Sequence, residues 1–205
     1  MGLTAEQLRT GLDALAEREP AFARALSLAG DPETRIRERG YRTLLRTIVG
    51  QQVSVAAAAS VWRKLEAELG EEMAPGVLLA AEFDALRACG LSRQKQGYAR
   101  SLCELVASGE LDLENLPEDD EEAIAQLTRI KGIGRWSAEI YLLFAEGRPD
   151  ILPAGDLAVQ AGLHRLLDLP ARPSEKEVRD LAEPWRPHRG AVTLLTWHCY
   201  NNPAL

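Results

Sequence analysis

Cysteine is scarce in this sequence, with only Cys89, Cys103 and Cys199 among 205 residues. They are odd in number and widely spaced. They show neither the paired spacing of zinc ligands nor the tight clustering of iron–sulfur ligands, and they read as reduced thiols of a cytosolic protein. Long apolar runs are also missing: no stretch approaches the ~20 residues that cross a bilayer. Met1, Gly2, Leu3 and Thr4 lead straight into a charged amphipathic stretch, so neither secretion nor membrane insertion is expected. Period-two runs of β-branched residues and Asn-Gly hairpins are absent too, which argues against a sheet. His164, His188 and His198 form no His-X-X-X-His pair and stand near no acid at metal spacing, so no metal site is expected. Ser54, Ser137 and Ser174 lack a nucleophile-elbow context, which removes support for acyl transfer.

What is present is an ordinary globular composition, 46% apolar and 27% charged, enough for one sizeable core in one domain. The formal net charge of -7 counts against a nucleic-acid partner when taken alone. Its distribution is uneven. Residues 104–122 carry nine acids and no Lys or Arg. By contrast, 85–103, with Arg87, Arg93, Lys95 and Arg100, and 184–205, with Arg186 and Arg189, carry no acid. Single charge runs are usually solvated helix faces, and charge leaves the partner undecided.

Thr4 followed by Gln7 is a capping-box start, and Leu8, Leu12 and Leu15 recur at helical spacing until Pro20. Further helical patterns run through about 41–49, 53–69, 80–88, 94–107, 121–129, 136–145, 157–167, 174–182 and 188–199. An all-α fold follows. Segment 108–120 is the best linker candidate, but it is short and no internal repeat stands out.

Residues 127–138 read as a helix, a tight turn through Gly132, Ile133 and Gly134, and a second helix. The glycines permit backbone conformations closed to other residues, and Ile133 between them can plug the core. N–H groups at the start of the second helix form an anion site, with Lys131 and Arg135 alongside. A lone Gly-X-Gly is more often a plain helix C-cap. No strand precedes it, no third glycine follows and Gly-Lys-Ser/Thr is absent, so a nucleotide fold is set aside.

Ile130 to Ala138 resembles the helix-hairpin-helix of the base-excision DNA glycosylase superfamily, which leads into a Gly/Pro-rich loop and an aspartate. Ile151, Leu152, Pro153, Ala154, Gly155 and Asp156 stand where that loop would be. Ile48 to Ser54 is similar to the family's early Gly-Gln-Gln segment, Gly90 to Lys95 to the segment before the helix preceding the hairpin, and Trp185 to Trp197 to the C-terminal helix of the alkylpurine branch. The resemblance covers about residues 40–200 and implies two helical lobes flanking a DNA-binding cleft. One lobe is about 53–150, carrying the hairpin 127–138; the other is 1–52 plus 151–205. Bifunctional members carry a lysine two residues after the second hairpin glycine, where this chain has Trp136. Other branches hold a C-terminal iron–sulfur cluster on four cysteines, where this chain has only Cys199. Both differences point to the 3-methyladenine glycosylase II group, in a minimal form without its extra N-terminal domain.

The resemblance implies that Asp156 is the catalytic carboxylate, stabilising positive charge on the sugar and orienting water. Between Gly155 and Leu157, Asp156 is equally a good helix N-cap, and a helix N-terminus suits a negative charge. Trp136, Trp197 and Tyr141 are expected at the base pocket, where an aromatic face gives cation–π and stacking contacts of ~1–3 kcal/mol. Core packing explains Trp136 as simply, and Trp62 and Trp185 look like ordinary packing. Relatives place a Tyr one turn after the hairpin tryptophan; here Ile140 precedes Tyr141. Gln52 stands at the position of the wedge that fills the gap left by a flipped base, or is a buried glutamine bonded to backbone. Gln52, Lys131, Gly132, Ile133, Gly134 and Arg135 are the expected DNA contacts. No cofactor is expected beyond a Na+ or K+ at hairpin carbonyls.

The reading that follows is a monofunctional glycosylase, monomeric and cytoplasmic at the nucleoid, excising alkylated bases of the 3-methyladenine and 7-methylguanine type from double-stranded DNA. A non-catalytic hairpin module binding distorted DNA, or a glycosylase of the same fold for another damaged base, are the alternatives. Asp156 and the paired tryptophans separate the first alternative from an enzyme.

Overall fold

In a computed structural model, residues 3–200 are described; Met1, Gly2 and the end of the acid-free stretch 184–205 lie outside them. Every regular element of the described chain is helical, with no strand among the described residues. α1 (Ala5–Arg18) opens on the anticipated capping box, Thr4 Oγ1 accepting Gln7 N at 3.2 Å and Gln7 Oε1 accepting Thr4 N at 2.9 Å. Pro20 ends the α1 pattern, as expected, but it also starts α2 (Pro20–Ala29), which the pattern missed. Proline is tolerated at the first position of a helix because its absent N–H has no intrahelical partner there. Then come α3 (Tyr41–Gly50), α4 (Val55–Leu69), α5 (Pro75–Ala80) and α6 (Phe83–Ala88). The helical pattern at 80–88 corresponds to α6 and touches only the last residue of α5, which the pattern missed; Pro75 is the first residue of α5.

α7 (Arg93–Ala107), α8 (Asp120–Leu127) and α9 (Arg135–Tyr141) follow. The helix anticipated to 145 continues from α9 as one π-helical stretch, Leu142–Glu146. α10 (Leu157–Leu166), α11 (Glu175–Ala182), a 3-10 turn Glu183–Trp185 and α12 (Arg189–Tyr200) complete the chain. No helix among the described residues is long and apolar enough to cross a membrane.

The chain divides into two compact units, one of Arg39–Ala138 and one of the residues up to Glu38 and from Glu139 onward. Residues 39–52 group with the first because α3 packs on α4 and α7. That unit's core holds Leu44, Leu45, Ile48, Leu65, Leu78 and Leu102, each without solvent exposure. Such burial is worth about 1.5–3 kcal/mol per side chain. In the other unit α12 packs on α10 and α1. The approach of α10 to α12 is close at Gly162, where a Cβ would come within 2.9 Å of Thr196 O. Trp62 and Trp185 are 4% and 5% exposed and are core residues.

Candidate functional site

In the Arg39–Ala138 unit the hairpin is held from three sides. Gly132 has φ +82°, a left-handed conformation that glycine adopts at no steric cost, and a Cβ there would fall inside the Tyr98 ring. Gln51 Nε2 donates to Gly132 O at 2.8 Å, and Lys131 N donates to Ser101 Oγ at 3.2 Å. Ile133 is 3% exposed and plugs the core as its place between the glycines suggested. Only Gly132 of the two glycines has positive φ. Lys131, Gly132 and Gly134 are exposed. Arg135 directs its guanidinium to Glu121, with Nη1 to Oε2 at 2.7 Å, so it is not a cation kept for phosphate alone. An exposed ion pair of this kind is worth at most about 1 kcal/mol, which a phosphate can exchange.

Gln52 is exposed and has φ +55°, a conformation that is sparse for any residue but glycine, asparagine or aspartate. It is not the buried, backbone-bonded glutamine; Gln51 takes a backbone bond instead. Val53 and Val55 beside it are 44% and 89% exposed. Lys95, from the basic stretch, donates from Nζ to Val49 O at 2.8 Å near the C-terminal end of α3, and burial holds its ammonium below the ordinary lysine range. Trp136, on the first turn of α9, is 48% exposed and is therefore no core residue.

The other unit carries Asp156. α12 braces the loop leading to it along its length. Asp150 accepts from Arg189 Nε at 2.8 Å and Arg186 Nη1 at 2.6 Å, and Gly190 N donates to Pro149 O at 2.8 Å. Thr193 Oγ1 donates to Ile151 O at 3.2 Å, and Gln160 Nε2 of α10 donates to Ala154 O at 2.9 Å. Asp156 then caps α10, its Oδ1 accepting Ala158 N at 2.8 Å and Val159 N at 3.0 Å. A third donor reaches the same oxygen: Trp197 Nε1, at 3.2 Å. Three donors fix the carboxylate's direction, and Trp197 is thereby tied to the aspartate with which the sequence had grouped it. The Trp197 ring meets Phe144, with centroids 5.8 Å apart, and the Arg35 guanidinium, 5.6 Å from its centroid. Tyr141, expected at the base pocket, is 3% exposed and offers almost no ring face to solvent.

Gln51, Tyr98, Ser101 and Arg35 were not foreseen. Gln51 lay within the Gly-Gln-Gln segment already singled out; the other three carry no local signal. Among the described residues no group of three or more His, Cys, Asp or Glu is placed to hold a metal ion.

Residues 45–187 match the HhH-GPD superfamily base excision DNA repair protein family. The chain is 33% identical over 161 residues to DNA-3-methyladenine glycosylase 1 of Schizosaccharomyces pombe, across 77% of this chain and 71% of that protein. It superposes on a DNA-3-methyladenine glycosidase from Bacillus halodurans with TM-score 0.85 and 29% identity, covering 94% of this chain and 89% of that one. With the S. pombe 3-methyladenine DNA glycosylase in complex with abasic DNA the TM-score is 0.76 at 29% identity, covering 92% and 95%. With the hairpin, the loop and the match across most of its length in agreement, this chain belongs to the HhH-GPD superfamily of base excision DNA repair proteins.

Proposed function

We propose that the protein is a monofunctional DNA glycosylase, active as a monomer, that flips alkylated bases of the 3-methyladenine and 7-methylguanine type out of double-stranded DNA and hydrolyses their N-glycosidic bond. The observation that carries this reading is the Asp156 carboxylate, held by Ala158 N, Val159 N and Trp197 Nε1 on a loop braced by α12. Breaking the bond to an alkylated base builds positive charge on the sugar while the leaving base needs little help. A fixed carboxylate supplies what remains, stabilisation of that charge and orientation of the attacking water. Two backbone N–H groups and an indole hold it in place before substrate arrives, so little reorganisation is left for the reaction.

The hairpin, through Lys131, Gly132, Ile133, Gly134 and Arg135, grips backbone phosphate, which positions DNA without reading sequence. Gln52, exposed and already in a left-handed conformation, serves as the wedge for the vacated stack. Trp136 and Trp197 supply aromatic faces; Tyr141, being buried, is given no stacking role. Hairpin backbone carbonyls are the candidate ligands of a Na+ or K+, Gly132 O keeping a second lone pair beside the bond from Gln51 Nε2, and no step runs through such an ion. An indole cannot form an imine with the sugar, so Trp136 in the place of a lysine leaves hydrolysis as the chemistry.

Incubation with methylated duplex DNA is expected to release free 3-methyladenine and 7-methylguanine, identified by chromatography, and to leave an intact strand with abasic sites. Failure to release either base would overturn the substrate assignment. Borohydride trapping of a covalent protein–DNA adduct during base release would overturn the monofunctional one.

A further inference from the structure

Trp197 is engaged by charge at two places. Its Nε1 donates to Asp156 Oδ1 at 3.2 Å, and the Arg35 guanidinium stands 5.6 Å from its ring centroid, within cation–π range. Arg35 belongs to the stretch between α2 and α3, which has no regular secondary structure. That stretch is anchored one step further on. Arg37 N donates to Phe144 O at 2.8 Å, and the Arg37 guanidinium lies 5.9 Å from the Phe144 ring. Phe144 in turn packs on Trp197. The backbone that carries Arg35 is therefore tethered beside the indole even if the exposed guanidinium swings off it.

We propose that Arg35 is a specificity-determining residue, whose tethered positive charge beside Trp197 disfavours cationic bases at that indole and extends the enzyme's range toward neutral damaged bases. The inference rests on the reading that Trp197 and Asp156 form part of the base-excision site. A base that stacks on Trp197 competes with the guanidinium for the ring. Displacement alone costs every base the same and leaves selectivity unchanged. Charge does not act uniformly. N7-methylguanine carries a formal positive charge, which a tethered guanidinium repels, whereas hypoxanthine is neutral and offers acceptor atoms to guanidinium N–H donors. Arg35 thus lowers the preference for cationic lesions that a bare indole face would have.

The test is single-turnover excision from two duplexes of one sequence, one with a single N7-methylguanine and one with a single hypoxanthine, by the wild type and the Arg35→Ala, Arg35→Gln, Arg35→Lys and Asp156→Asn variants. Arg35→Ala and Arg35→Gln are expected to raise the ratio of methylguanine to hypoxanthine excision by about fivefold or more, while Arg35→Lys keeps it within about twofold of wild type. The two neutral variants check one another, and melting curves identify either one that is unfolded. An unmoved ratio in the folded neutral variants, an equal fall in both rates, a lysine variant that behaves like alanine, or a wild type that excises no hypoxanthine would each overturn the proposal. Asp156→Asn separates the two levels. If it loses excision while the ratio stays put, only the role of Arg35 falls; if it excises at the wild-type rate, the reading of the site falls and the inference with it.

Discussion

Trp197 Nε1 is a side-chain donor to Asp156 Oδ1, and it can be removed while a ring is kept. Trp197→Phe should lower single-turnover base release by about 10- to 100-fold, since a hydrogen bond to a charged group is worth about 1.5–3 kcal/mol, with lesion-DNA affinity less affected. Equal losses in rate and affinity would instead make the tryptophan a packing residue. The cysteines give a second check. All three are buried, and burial pushes the Cys103 and Cys199 thiols up to about 11 and raises Cys89 as well. Thiolate, the reactive form, is abundant only above the raised values, so at pH 8 a disulfide reagent should label the folded protein slowly and all three thiols only after denaturation. Rapid labelling of folded protein would contradict that burial. At this scale the sequence pointed to Asp156 as a cap because the signal is local, a loop aspartate ahead of apolar helical residues. It paired Trp197 with the site only through family resemblance. The bond itself joins residues 41 apart, and Arg35 reaches the indole from an irregular stretch, which no local pattern reports.

Elements show the same division between local and long-range causes. The hairpin was legible only because Gly-X-Gly between helical patterns came together with the loop and the other family segments, since alone it is more often a helix C-cap, and the Thr4 capping box was legible because both partners lie within one turn. Pro20 was read only as the end of the α1 pattern, although it is also the first residue of α2, as Pro75 is of α5; proline marks a boundary without saying on which side the helix lies. The π stretch Leu142–Glu146 had no sequence mark, as Leu142 to Ala145 are all buried and tertiary packing decides their register. Tyr98 against Gly132 was equally invisible. It makes the hairpin intolerant of a side chain, and Gly132→Ala should destabilise the protein by about 1–3 kcal/mol through positive φ and overlap with the ring. Adding Tyr98→Ala should relieve the overlap but leave the φ strain, recovering part of the loss in a denaturant melt. A Gly132→Ala protein as stable as the wild type would show that the turn is not held as described.

The whole molecule carries a net charge of -7, yet its proposed substrate is a polyanion. Affinity therefore has to come from local groups, and it should fall steeply as salt rises because bound phosphates release counterions. Lys131→Glu should weaken binding to damaged and undamaged duplexes by a similar factor, since a phosphate contact carries no base information. A change confined to lesion DNA would detach the hairpin from the phosphate. Catalysis, in contrast, is assigned to one charge, and Asp156→Asn removes that charge while keeping an oxygen that can cap α10 and accept from Trp197. Single-turnover base release from methylated duplex DNA by this variant, run beside a binding titration and a melting curve, is the most direct measurement. The expected result is a loss of about 10²–10³ in rate with binding and melting temperature close to wild type. A folded Asp156→Asn protein releasing alkylated bases within about threefold of the wild-type rate would contradict the mechanism and leave Asp156 only its cap.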